Sequence, residues 1–144
     1  MINTNKSFLL ALASTLGISL AVLADDAANP NPNTLPPAST KAGVTYAADI
    51  KPILDANCVK CHNGADATKR PKAGLSLNTL AGALKGSKDG PVITPGNSAK
   101  SDLVLAVAHV GDDPDQFMPK GKGAKKLSDD QIGLIRAWID QGAK

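Results

Sequence analysis

Both cysteines of the chain and one of its two histidines stand together in Cys58-Val59-Lys60-Cys61-His62. No other stretch restricts the fold as strongly. C-x-x-C-H is the spacing of a covalent haem attachment site. Two thiols add across the vinyl groups on one side of the macrocycle, and the next residue hangs an imidazole beneath the iron as proximal ligand. The rest of the chain is short of large apolar side chains. After Phe8 its aromatics are Tyr46, Phe117 and Trp138. A small domain has trouble building a full core from so little, and a haem would supply the missing bulk.

Other readings of the motif explain less. A redox dithiol shares C-x-x-C, but no βαβ pattern surrounds it. A plain disulfide in an exported protein leaves His62 without a role. A structural zinc site wants four ligands, and His109 is the one nitrogen donor left over.

The ends of the chain bear on its compartment. Residues 1–24 read as an export signal: Lys6 at the start, a mostly apolar run from Phe8, and Val22-Leu23-Ala24 before Asp25 as a cleavage point. The rival is an uncleaved membrane anchor through residues 8–24, which reaches only the lower limit for a span. Gly17 and several hydroxyls weaken that rival, and no cysteine follows the run to carry a lipid. No later stretch is suited to crossing a membrane, so the mature chain is expected to have no span. Residues 25–43 carry Pro30, Pro32, Pro36 and Pro37 among Asn, Ala, Ser and Thr. They are expected to be a disordered or extended linker. Residues 44–144 are left as one small domain. The formal charge of +3 falls by one when Lys6 leaves with the signal, and every acidic residue is Asp. That is not the balance of a nucleic-acid-binding protein.

Within the domain the apolar spacing predicts an all-α fold with long irregular loops. Tyr46, Ile50, Ile53 and Leu54 mark a helix over residues 46–57, interrupted by Pro52. Leu75 and Leu77 follow a polar loop, and a short helical turn over 79–85 stops at Gly86. Ser98 is expected to cap a helix running to Val110, with Leu103, Val107 and Val110 on one face. A loop over 111–126 contains Phe117-Met118-Pro119. Ser128 and Gln131 then form a capping box for a last helix striped by Ile132, Ile135, Trp138 and Ile139.

A haem iron with a proximal His62 has a sixth position to fill. Met118 is the one methionine beyond the first residue, and it stands in a loop braced by Pro119. A thioether there raises the potential of the iron. Met118 is therefore expected as the distal ligand. His109 is the rival, but helical phase sets it far round from Leu103 and Val107, where it should face solvent. Asp112, Asp113 and Asp115 cluster without the rest of a calcium loop and read as a solvated turn. Lys120, Lys122, Lys125 and Lys126 follow Met118. A charge run is most often a solvated face. Beside a redox centre it is also suited to steering an acidic partner.

The order of these motifs resembles class I c-type cytochromes, and more closely the small planctomycete-type cytochrome c domains. The resemblance covers residues 46–143. It rests on Ile50-Lys51-Pro52-Ile53-Leu54, Cys58 to His62, Gly74-Leu75-Ser76-Leu77, Thr94-Pro95-Gly96 with Ser101 and Leu103, Met118-Pro119, and Trp138-Ile139 with Gly142-Ala143. It implies Cys58 and Cys61 as thioether sites of one haem c, His62 as proximal and Met118 as distal ligand, and first and last helices crossing beside the haem. Many relatives carry a second proline after Met-Pro, where this chain has Lys120.

With both axial positions filled by protein, the iron has no open site for substrate. The expected function is that of a periplasmic monohaem electron carrier between donor and acceptor proteins, and not of an enzyme. Alternatives are an electron-transfer subunit of a larger periplasmic oxidoreductase, and a haem sensor or peroxidase-like protein with a displaceable Met118.

Overall fold

The computed structural model describes residues 34–65, 68 and 70–144. The expected export signal and the first part of the linker lie outside the described residues. Four α-helices carry the domain: α1 (Lys51–Asn57), α2 (Leu80–Lys85), α3 (Asp102–Ala108) and α4 (Asp129–Asp140). The described residues contain no strand, only an isolated bridge between Ser87 and Gly90. None of their helices is long and apolar enough to cross a membrane.

The expected first helix forms in two pieces. A wide π-type turn, Tyr46–Ile50, leads into α1, and the Lys51 N–H reaches back to Tyr46 O. Pro52 stands in the first turn of α1. Proline has no N–H to donate, and its ring crowds the carbonyl four residues earlier. Widening the preceding turn relieves both problems. Thr45 starts the segment by accepting from Ala48 N at 3.3 Å, and Asp49 accepts from Thr45 N at 3.0 Å.

This segment lies against α4, which begins as the sequence predicts. Gln131 N donates to Ser128 Oγ at 3.2 Å, and Ser128 N donates to Gln131 Oε1 at 3.1 Å. Ile132, Ile135, Trp138 and Ile139 of α4 are fully buried, as are Ile50 and Leu54. Each such side chain contributes about 1.5–3 kcal/mol by leaving water. Tyr46 and Trp138 meet at the crossing with ring centroids 5.8 Å apart and planes at 49°. The Lys144 carbonyl ties both ends there, accepting from Trp138 Nε1 at 2.9 Å and from Tyr46 N at 3.2 Å.

The helix expected over residues 98–110 is shorter than predicted. A 3₁₀ turn, Ser98–Lys100, precedes α3, and extended backbone at Ser101 separates them. Ser98 does not cap α3. Its N–H and Oγ donate to Asp140 at 2.7 and 2.9 Å, and Arg136 Nε donates to its Oγ at 3.1 Å. Bonds to a carboxylate are stronger than a neutral cap, so the tertiary contact prevails over the local signal. Gly96 N donates to Ile139 O at 2.7 Å and fastens the Thr94-Pro95-Gly96 turn to the end of α4.

The last part of the expected linker lies docked on the domain. Pro36 is buried and Leu35 packs against the core. Ser39 N donates to Gly133 O at 2.9 Å, Arg136 donates to Pro36 O, and Gln141 Nε2 donates to Lys41 O at 2.8 Å. The segment is a strap laid along α4. Backbone groups make most of its bonds, which is why a proline-rich polar stretch without periodicity can still dock.

Candidate functional site

The attachment motif continues the end of α1. Cys58 N donates to Leu54 O at 2.8 Å, and Cys61 N and His62 N both donate to Cys58 O, at 3.1 and 3.0 Å. These helix-like turns keep Cys58 and Cys61 three residues apart on one side of the chain. The two sulfurs are not bonded to each other; Cys58 is buried and Cys61 exposed. Burial pushes the Cys58 thiol up to about 11. The described residues do not gather three or more His, Cys or Asp side chains as a metal cluster. Among the described residues, then, no set of zinc donors gathers around the motif.

His62 is held from two sides. Its carbonyl accepts from Leu77 N at 2.8 Å, and the Leu77 carbonyl accepts from the Tyr46 hydroxyl at 2.8 Å. A line of contacts thus runs from Trp138 through Tyr46 and Leu77 to His62. The His62 ring places Nδ1 3.2 Å from Lys72 O. A carbonyl only accepts, so Nδ1 carries the hydrogen in this contact, and in the neutral ring the lone pair is on Nε2. A backbone carbonyl on one imidazole nitrogen is the usual support for a metal bond at the other. Lys72 N also donates to Cys61 O at 2.9 Å, so one residue orders both the turn and the ring. Nothing in the sequence marks Lys72 for this work, because only its backbone is used.

Met118 is half-buried and packs against the core. Its N–H donates to Ala106 O at 3.0 Å. His109 does not simply face solvent, contrary to expectation. It ends α3 in left-handed backbone, φ 55° and ψ 44°, with Nε2 3.0 Å from Met118 O. The extra rotation at this residue turns the ring away from its helical phase and toward the loop. Its ring is therefore a neighbour of Met118.

The loop after Met118 faces the end of α1. Ala56 and Asn57 line an open hollow of about 450 Å³ together with Pro119, Lys120, Lys125 and Gln131. The residues just before the attachment motif and just after Met118 therefore share one concavity. Lys120, Lys122, Lys125 and Lys126 are exposed, and of these Lys126 pairs with Asp129 at 3.2 Å. The acidic cluster is a local turn, in which Asp113 accepts from Asp115 N at 2.9 Å.

The residues present suit a covalently attached haem. They offer two unpaired thiols, an oriented imidazole with a free Nε2, and a thioether in a tethered loop. A family model described as Planctomycete cytochrome C matches residues 58–121. The match opens on Cys58 and closes just after Met118-Pro119, so it contains the candidate ligands and leaves out Tyr46 and Trp138. No curated protein and no solved structure matches the chain. The region bearing Cys58, Cys61, His62 and Met118 is thus similar to the Planctomycete cytochrome C family.

Proposed function

We propose that this domain is an exported, periplasmic monohaem cytochrome that carries single electrons between redox proteins. Cys58 and Cys61 are its thioether sites, His62 the proximal ligand and Met118 the distal ligand. The observation that carries the reading is the contact of His62 Nδ1 with Lys72 O, which leaves Nε2 free directly after a pair of unbonded cysteines. When bound, the haem supplies a one-electron iron couple. The chain's own residues do the rest. Leu77 and Lys72 hold His62 in one orientation, and the turn from Leu54 to Cys61 presents the thiols. The end of α3 tethers the Met118 backbone, which would hold its thioether in place for the iron of an attached haem. With His62 and Met118 both bound, the iron of an attached haem would have no open site for substrate and would serve to move single electrons.

Redox titration of the exported protein, followed by absorbance, tests this. The reading expects the slope of a single-electron couple and no carbon monoxide binding to the reduced form. Rapid carbon monoxide binding by the wild-type protein would assign it to the sensor or peroxidase-like class instead.

A further inference from the structure

Met118 is tethered at both of its backbone polar groups by the C-terminal end of α3. Ala106 O accepts from its N–H at 3.0 Å, and its carbonyl lies 3.0 Å from His109 Nε2. That carbonyl can only accept, so Nε2 carries the hydrogen. The same ring lies flat on Phe117, with centroids 4.9 Å apart and planes 4° from parallel. One imidazole therefore grips two consecutive residues of the loop. His109 does this from left-handed backbone, a conformation that glycine adopts without strain and other residues adopt at a cost. A large side chain at such a helix end calls for a compensating contact, and the contacts it makes are with the Met118 loop.

We propose that His109 is a positioning residue for Met118. It holds the Phe117–Met118 backbone against α3 so that the thioether stays at one place. The proposal rests on the reading of Met118 as distal ligand. Apart from the Met118 N–H bond to Ala106 O, the loop's own bonds are those of local turns. It contains one 3₁₀ turn, Pro114–Gln116, and the glycines Gly111, Gly121 and Gly123 all have positive φ. Without the grip of His109 the loop samples more positions, and a competing ligand gains ready access to the iron.

Four exported, haem-loaded proteins decide the matter: wild type, Met118→Ala, His109→Phe and His109→Gly. Each ferric protein is titrated with imidazole while the weak long-wavelength band of thioether-to-iron coordination is followed. His109→Phe keeps a flat ring for Phe117 but lacks the N–H. His109→Gly removes the whole side chain and suits the left-handed backbone. The band should be present in wild type and absent from Met118→Ala. Imidazole should bind His109→Phe about tenfold more tightly than wild type, the worth of one hydrogen bond, and His109→Gly more tightly again. Wild-type imidazole affinity in either His109 variant, whatever its melting temperature, overturns the proposal while leaving Met118 as ligand. A wild-type protein without the band, or a band that survives Met118→Ala, overturns the distal-ligand reading and the proposal with it.

Discussion

Gly133 stands inside α4, where alanine ordinarily stabilises a helix by about 1 kcal/mol. Here the strap removes that advantage. A Cβ on Gly133 would lie 2.9 Å from Pro37 O and 3.4 Å from Ser39 N. Both are backbone atoms, so relief requires the strap to lift. Lifting strains the bond from Ser39 N to Gly133 O and the neighbouring contact of Arg136 with Pro36 O. Two such bonds are worth about 2 kcal/mol together. Gly133→Ala should therefore lower the stability of the full mature chain by roughly 1 kcal/mol, the difference between the two effects. In a chain lacking residues 25–40 the same substitution should raise stability by about 1 kcal/mol. The two backgrounds then differ by about 2 kcal/mol, well outside the error of additivity. Thermal unfolding of the haem-loaded protein by far-ultraviolet circular dichroism resolves this, since 1 kcal/mol moves the midpoint of a domain this size by about 4–8 °C. A shift of the same sign in both backgrounds would refute the docking of the strap on Gly133.

Three further outcomes follow from other contacts. Trp138→Phe removes the donor to Lys144 O and shrinks a fully buried ring; it should cost about 2–3 kcal/mol in denaturant unfolding, and an unchanged midpoint would contradict the role given to the helix crossing. Ser98→Ala deletes the hydroxyl between Asp140 and Arg136; it should cost about 1–2 kcal/mol, and no measurable loss would mean that the Asp140 bond to Ser98 N alone fastens the turn. Changing Lys120, Lys122, Lys125 and Lys126 to Gln should flatten the ionic-strength dependence of electron transfer to an acidic redox protein; equal salt slopes for variant and wild type would remove this rim from the docking surface.

What the sequence made legible is what local chemistry decides. The start of α4 was readable because Ser128 and Gln131 satisfy each other within one turn. Its buried face was readable because Ile132, Ile135, Trp138 and Ile139 repeat at helical spacing. The candidate ligands were readable because cysteine, histidine and methionine are rare in this chain. Long-range bonds were not readable. Ser98 has the profile of a helix cap, yet its partner Asp140 is 42 residues away. The strap and Lys72 act through backbone groups, which every residue type offers alike. His109 looked solvent-facing because helical phase was carried one residue past the end of α3; its positive φ is the break. A glycine inside an otherwise strong helix, Gly133, was the one available hint that another chain segment passes close by.

The account stands or falls on the covalent haem. Intact-mass measurement under denaturing conditions, on protein exported from a host with cytochrome-maturation machinery, tests it most directly. The expected species lacks residues 1–24, carries one haem that survives denaturation, and stains for haem on a denaturing gel. Cys61→Ser should weaken or abolish that retention. A colourless chain of unmodified mass from such a host would contradict the assignment of Cys58, Cys61 and His62, and with it the electron-carrier function.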